Sequence, residues 1–188
     1  MIRCVFFDRD GIVNRSPGPG YVERWEDFDL LPEFVAVLRT VLDLGYEAVV
    51  VTNQRGVALG RMSLEAVDDI HGRLRRVLRD RHGLGLLDIL CCPHDRGECT
   101  CRKPQPGMLL AAAQRYGIHL PSSWMIGDNE RDVEAGRRAG CRTIRVSTED
   151  EPSAADVRVR SMAELHERIR EILAGGDGSA QLRPPGDA

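Results

Sequence analysis

The stretch Phe6–Gly11, with the sequence FFDRDG, decides how we interpret this chain. The apolar run 2–7 predicts a buried strand, and two carboxylates separated by one residue follow it. Because side chains two positions apart on an extended chain point the same way, we expect Asp8 and Asp10 to face one site about 6–7 Å apart. Gly11 then lets the backbone turn away. A solvated turn uses the same residue types, so this pair alone leaves function open.

Composition and charge narrow the class of protein. With 188 residues, 42% apolar and 29% charged, the chain is typical of one globular domain with a core. A net charge of −3 gives no support to a nucleic-acid surface. No apolar run approaches the roughly 20 residues of a membrane span, and no secretory signal precedes the first strand. We predict a cytoplasmic monomer with one domain over 1–174 and a Gly/Pro/Asp-rich, disordered tail over 175–188.

Strand-like and helix-like segments alternate along the chain. Apolar runs predict strands at 2–7, 47–51, 86–91, 124–126, 142–146 and 156–159. Helical spacing and capping residues predict helices that begin near Pro32, Ser63, Pro106 and Ser161, with a short one that ends at Gly140. This order predicts an α/β fold, a doubly wound, Rossmann-like parallel sheet with helices on both faces. In such sheets ligands bind at the carboxyl ends of the strands.

Four strand ends carry polar clusters that a parallel sheet would bring to one edge. They are Asp8 with Asp10, Thr52 with Asn53, a Cys/His/Arg/Lys stretch that contains Lys103, and Asp128 with Asp132. Taken singly, Lys103 could be a surface lysine and Thr52 a strand-end cap. Their convergence favours a common site.

These groups suit phosphoryl transfer. Asp8 and Asp128 could hold Mg²⁺, which prefers oxygen ligands. Thr52 and Lys103 supply a hydroxyl and a cation that can hold and neutralise a phosphoryl group. Asp8 would attack phosphorus and form an aspartyl-phosphate. Asp10 would protonate the leaving alcohol and then activate water.

The four clusters resemble, in order, the motifs of the haloacid dehalogenase superfamily of phosphatases, over about residues 1–146. The matching positions are the DRDG of 8–11, Thr52 with Asn53, Lys103, and the GDxxxD of 127–132. The resemblance implies Mg²⁺ held by Asp8, Asp128 and the main-chain carbonyl of Asp10. No connection between predicted strands is long enough for a cap domain, so we expect a capless member.

A second metal site is predicted in the loop after the third strand. Its candidate ligands are Cys92, His94, Cys99 and Cys101, with four residues between His94 and Cys99. Three sulfurs and one nitrogen fit a closed, tetrahedral, structural Zn²⁺ site. Clustered cysteines in a chain without a leader favour metal over disulfides, although reduced thiols in a mobile loop are an alternative. The zinc loop would aim the following Arg102 and Lys103 into the site.

The zinc loop narrows the resemblance to the group that contains heptose-bisphosphate 7-phosphatases and histidinol-phosphate phosphatases. The segments 20–22 (GYV), 52–57 (TNQRGV) and 101–108 (CRKPQPGM) favour the heptose type. By this resemblance Arg102 recognises the substrate, and the pocket is lined by Gly20, Tyr21, Asn53, Gln54, Arg55 and Asn129. The short zinc loop is closer to the histidinol type, and a Pro/Gly-rich insert precedes Gly20, so the exact substrate stays open.

The leading hypothesis is a Mg²⁺-dependent phosphomonoester hydrolase that removes the 7-phosphate of D-glycero-D-manno-heptose 1,7-bisphosphate. Histidinol phosphate is the alternative substrate. A zinc-stabilised binding module without turnover is the alternative of a different class. Asp10 argues against it, because a pure binder does not need an acid beside a nucleophile. We expect a small sugar phosphate as the partner, and neither nucleic acid nor membrane.

Overall fold

A computed structural model describes residues 1–175 of the chain. Within them six strands form one parallel sheet in the order β3-β2-β1-β4-β5-β6. The strands are β1 (Cys4–Phe7), β2 (Glu47–Asn53), β3 (Asp88–Cys92), β4 (Trp124–Gly127), β5 (Arg142–Val146) and β6 (Val157–Val159). The strand order reverses at β1, which lies between β2 and β4, and such a switch point is where doubly wound sheets bind ligands. The predicted fold class is confirmed.

Four α-helices connect consecutive strands from β1 to β5, and a fifth follows β6. They are α1 (Pro32–Asp43), α2 (Leu64–His82), α3 (Gly107–Tyr116), α4 (Glu130–Ala139) and α5 (Met162–Gly175), with short 3₁₀ turns at Trp25–Asp27 and Leu120–Ser122. Ser63 begins α2 as predicted, because its side chain accepts a hydrogen bond from the Ala66 amide at 3.2 Å. None of these helices is both long enough and apolar enough to cross a membrane.

The sheet is covered on both faces by apolar side chains. Val5 and Phe7 of β1 pack in one layer, which also contains buried residues of α1, α2 and α5. Cys4 and Phe6 point to the opposite layer, which contains buried residues of α3 and α4. All four side chains are fully buried, which is why β1 is a continuous apolar run rather than an alternating one.

Several boundaries differ from the prediction. β1 begins at Cys4 rather than residue 2, and β3 begins two residues later and ends one residue later than predicted, so that Cys92 ends it. Gly175, which we expected to begin the tail, is the last residue of α5. The rest of the predicted disordered tail, 176–188, lies outside the described residues. The single domain over 1–174 stays a prediction.

The connections at the carboxyl edge are loops. The longest connection between a strand and its following helix is 8–31, and its only helical segment is the turn Trp25–Asp27. The connection between β3 and α3 occupies 93–106. Within residues 1–175 no connection at this edge contains a second sheet or a longer helix, so the strand ends face outward between loops.

Candidate active site

Three carboxylates meet at the ends of the neighbouring strands β1 and β4. One oxygen each from Asp8, Asp128 and Asp132 lies within 4.8 Å of the others. Asp8 directly follows β1, and its amide donates to the Ile126 carbonyl of β4 at 2.9 Å. Asp8 and Asp132 are buried, at 5% and 0% exposure. Parallel pairing of β1 with β4 therefore creates the cluster, as the sequence predicted.

Lys103 is the cation of this cluster. Its Nζ lies 2.6 Å from Asp8 Oδ1 and 2.8 Å from Asp132 Oδ1, and it donates to the Val51 carbonyl at 2.8 Å. Only 2% of Lys103 is exposed. The Asn53 side chain fixes the backbone of Lys103. Asn53 Nδ2 donates to the Lys103 carbonyl and the Lys103 backbone N–H donates to Asn53 Oδ1, both at 3.0 Å. Lys103 is thus held both at its backbone and at its ammonium group.

The cluster carries more negative than positive charge. Burial and the charge of Asp132 raise the pKa of Asp8 to about 7, although Lys103 opposes the shift. Burial and Asp132 also raise the pKa of Asp128 to about 6. Burial lowers the pKa of Lys103, but Asp132 and Asp8 outweigh it, so its net pKa is raised. Three clustered carboxylates facing one ammonium group fit a hard divalent cation such as Mg²⁺.

Two glycines let the backbone and the carboxylates approach each other. A Cβ on Gly11 would lie 2.1 Å from Asp128 Oδ2, and the φ of Gly11 is +96°, which favours glycine. A Cβ on Gly127 would lie 2.3 Å from the Cβ of Asp132. The sequence predicted a turn at Gly11, and the structure adds the close contact with Asp128.

Asp10 is held apart from the three-carboxylate cluster. Its oxygens accept hydrogen bonds from Arg9 Nη2 at 3.0 Å, from Asn14 Nδ2 at 3.0 Å and from Gln54 Nε2 at 2.9 Å. Gln54 Nε2 also lies 2.8 Å from Thr52 Oγ1, so it links Asp10 to the end of β2. A quarter of the Asp10 side chain stays exposed, which leaves a substrate access to it.

Behind Asp10 lie two residues that the sequence did not single out. Arg9 is completely buried, and its Nη1 lies 3.4 Å from Nε2 of His71 on α2. Burial and the charge of Arg9 lower the pKa of His71 to about 3, so the ring is neutral and Nε2 can accept this hydrogen bond. Nothing in the local sequence of α2 marks His71, because its partner is 62 positions away.

Three other predicted substrate residues lie in connections that follow β1 and β4. Asn129 begins α4, where its Oδ1 accepts from the Arg131 amide and its own amide donates to Asp132 Oδ2, both at 3.2 Å. Tyr21 packs over Gly56, where an added Cβ would lie 3.1 Å from the ring. Gly20 is exposed in the Pro/Gly-rich loop. Their substrate roles, like those of Asn53 and Gln54, stay predictions.

Four predicted zinc ligands converge in the loop after β3. Cys92 Sγ lies 3.5 Å from Cys99 Sγ and 3.6 Å from His94 Nδ1. Cys101 Sγ lies 3.3 Å from Cys99 Sγ and 3.4 Å from His94 Nδ1. Sulfurs bound to tetrahedral zinc at about 2.3 Å lie about 3.8 Å apart, so the set fits a closed zinc site with a small expansion.

The loop 93–106, which contains three of the predicted zinc ligands, is tied to the active-site edge and helps form a cationic pocket. Arg55 Nε lies 2.5 Å from Asp95 Oδ1, and this contact joins the loop after β2 to the loop 93–106. A pocket of about 370 Å³ beside Lys103 is lined by residues that include Arg96, Arg102 and Arg131. Arg102 was predicted to recognise the substrate, and this role stays a prediction. Arg96 and Arg131 were not predicted, because arginines in polar stretches resemble ordinary surface residues.

Comparisons with known proteins agree with this geometry. A family model described as HAD-hydrolase-like matches residues 100–171. The chain is 37% identical over 147 residues to a D-glycero-alpha-D-manno-heptose-1,7-bisphosphate 7-phosphatase of Photorhabdus laumondii, covering 74% of this chain and 79% of that relative. It is 32% identical over 184 residues to the D-glycero-beta-D-manno-heptose-1,7-bisphosphate 7-phosphatase of Escherichia coli K12, covering 90% and 95%.

A solved structure gives the same result for the fold. The D,D-heptose 1,7-bisphosphate phosphatase from B. bronchiseptica, complexed with magnesium and phosphate, superposes with a TM-score of 0.79 and 28% identity. The match covers 91% of this chain and 99% of that one. The chain therefore belongs to the haloacid dehalogenase-like phosphatase family that contains the heptose-1,7-bisphosphate 7-phosphatases.

Proposed function

We propose that this chain removes the 7-phosphate of D-glycero-D-manno-heptose 1,7-bisphosphate. The observation that carries the proposal is the buried Asp8–Lys103 contact of 2.6 Å inside the carboxylate cluster at the end of the central strand. That contact supports the proposal, because a nucleophilic Asp8 would then have a cation beside the phosphoryl group that it attacks. The names of the heptose relatives support the substrate, and the assembled cluster argues against a binding module without turnover.

In the proposed reaction an Asp8 oxygen attacks phosphorus as the bond to the sugar oxygen breaks. Asp10 gives its proton to the leaving sugar oxygen. Asp10 then takes a proton from water, whose oxygen attacks the aspartyl-phosphate, releases inorganic phosphate and restores Asp8. Lys103 and the Thr52 hydroxyl neutralise charge on the phosphoryl oxygens.

Two metals belong to the proposal. Mg²⁺ would be held by Asp8, Asp128 and the main-chain carbonyl of Asp10, and it would add positive charge beside the phosphoryl oxygens. The magnesium and phosphate named with the B. bronchiseptica structure support this assignment. Zn²⁺ would be held in the loop after β3 as a structural ion, because four protein ligands leave no open position.

The surroundings of the cluster suit a doubly phosphorylated sugar. The pocket lined by Arg96, Arg102 and Arg131 opens beside Lys103, so a substrate with its 7-phosphate at Asp8 could present its second phosphate to the arginines. Histidinol phosphate has no second phosphate to use them. We further propose a capless enzyme, since only loops surround the site within residues 1–175. The monomeric state and the absence of a nucleic-acid partner stay predictions.

The test is phosphate release with Mg²⁺, comparing both anomers of heptose 1,7-bisphosphate with histidinol phosphate. We expect kcat/KM for the better anomer to exceed that for histidinol phosphate about a hundredfold or more, because only the bisphosphate has a second phosphate that can form charge-assisted hydrogen bonds with the arginines. NMR of the product should show that the phosphate left carbon 7. Preference for histidinol phosphate, or release from carbon 1, would contradict the proposal.

Loss of zinc should lower activity through the segment that carries Lys103. In Cys101→Ser, with zinc loss verified by metal analysis, we expect kcat/KM to fall about tenfold or more because Arg102 and Lys103 follow the ligand directly. Cys91→Ser is the matched control, since Cys91 lies in β3 outside the four-ligand set. Full activity in a verified zinc-free protein would contradict this prediction.

A further inference from the structure

The acid/base candidate Asp10 is oriented by an arginine that cannot contact solvent. The Arg9 guanidinium donates to the Asp10 carboxylate from two of its three nitrogens: Nε lies 3.2 Å from Oδ1, and Nη2 lies 3.0 Å from both oxygens. Arg9 is 0% exposed. Because consecutive side chains of an extended strand point to opposite sides, this contact requires the chain to turn at Asp10, and an anchor must hold the long Arg9 side chain in place.

His71 provides that anchor from another element. Its Nε2 lies 3.4 Å from the remaining nitrogen of the guanidinium, Nη1, and the ring is 7% exposed. The guanidinium carbon also lies over the Phe28 ring, 6.0 Å from the ring centroid. All three nitrogens of the guanidinium thus have a partner, and α2 is linked through Arg9 to the acid/base carboxylate.

We infer that Arg9 and His71 are a positioning pair that fixes the Asp10 carboxylate for proton transfer to the leaving group. This inference rests on the proposed role of Asp10 in phosphate hydrolysis. His71 does not contact the substrate region itself: it holds the guanidinium, and the guanidinium holds the carboxylate. A fixed carboxylate matters most when the leaving oxygen is basic and needs its proton in the transition state.

The test compares two probes of nearly equal shape, 4-nitrophenyl phosphate and phenyl phosphate, in the full-length protein with Mg²⁺. Phenol is the poorer leaving group, so it depends more on protonation by Asp10. We expect His71→Phe to raise the 4-nitrophenyl-to-phenyl ratio of kcat/KM about fivefold to tenfold, a fraction of what general acid catalysis contributes. His71→Gln keeps an acceptor, so we expect it to stay within about twofold of the wild-type ratio.

Asp10→Asn calibrates the measurement and separates the two claims. If it leaves the ratio unchanged, the acid role in the proposed function is wrong and the inference falls with it. If it raises the ratio while His71→Phe does not, the proposed function stands and the positioning pair is refuted. Leu74→Ala, a fully buried core change on the same helix, should lower the melting temperature without changing the ratio.

Arg9→Lys is a second test of the positioning pair, for use if the His71→Phe protein does not fold. Lysine keeps the charge but lacks the planar fork that contacts Asp10 and His71 together. We expect the same rise in the ratio, and a folded Arg9→Lys protein with the wild-type ratio would overturn the inference.

Discussion

Asp8→Asn will abolish phosphate release, with kcat falling by about 10⁴ or more. The carboxamide is a poor nucleophile, and no other carboxylate takes its place at the end of β1, because the Asp10 carboxylate is held by Arg9, Asn14 and Gln54. The measurement is steady-state release of phosphate from heptose 1,7-bisphosphate with Mg²⁺.

The fold should survive this change, which makes the result interpretable. Asn removes one of three clustered carboxylates, and Lys103 retains Asp132 at 2.8 Å. We therefore expect the metal-free variant to be at least as stable to urea as the wild type, since a desolvated charge has been removed. Turnover near the wild-type rate in a folded Asp8→Asn protein would mean that another group attacks phosphorus.

Lys103→Met will damage both catalysis and stability. We expect kcat/KM to fall by about 10³ or more, because the cation beside the phosphoryl group is lost. The metal-free protein should also lose about 3–5 kcal/mol of unfolding free energy at pH 7, because Asp8 and Asp132 stay buried without their cation. Urea unfolding measures the second effect.

The pH dependence of Lys103→Met has a defined sign. Lys103 lowers the pKa of Asp8, so its loss raises a pKa that already lies at about 7 in the metal-free protein. The ionised nucleophile then forms only at higher pH, and the acidic limb of the kcat/KM profile should move upward. The stability loss relative to wild type should grow as the pH rises above about 7, because wild-type Asp8 then ionises beside Lys103, whereas Asp8 of the variant stays protonated up to its raised pKa.

Arg115→Met is a matched control for the loss of a cation. Arg115 forms an ion pair with Asp88 at 3.0 Å, but its side chain is 61% exposed. Exposed pairs contribute about 0–1 kcal/mol, so this variant should be nearly neutral. A Lys103→Met protein as stable as Arg115→Met at pH 7 would contradict the buried ion-pair arrangement.

The sequence predicted the architecture because its signals were local and repeated. The apolar run before Asp8 and the capping side chain of Ser63 each follow from nearby residues, and both recur in the structure. The alternation of strands and helices then implied a parallel sheet, and parallel pairing placed Asp8 beside Asp128. Strand bounds shifted by one or two residues, because pairing with neighbours decides where a strand ends.

The interior of the site depends on contacts that spacing cannot show. The alternation rule predicted that Asp8 and Asp10 face one site, and this stays a prediction. The contacts of the Asp10 carboxylate with Arg9 and Gln54 could not be predicted from spacing. The sequence placed Asp132 in the GDxxxD motif of 127–132 but gave it no partner. Its ion pair with Lys103 could not be predicted from spacing, because the two residues are distant in sequence. A short polar side chain such as that of Asn53 could either line the substrate pocket or hold a neighbouring residue in place. Only the fold shows that the Asn53 side chain holds the backbone of Lys103.

The most direct measurement is to trap the covalent intermediate. The enzyme is mixed with phosphorus-labelled heptose 1,7-bisphosphate and Mg²⁺, quenched in acid within a turnover, digested and mapped by mass spectrometry. We predict a phosphoryl group on Asp8, absent from Asp8→Asn. Rapid release of phosphate with no labelled peptide, or a label on any other residue, would contradict the account.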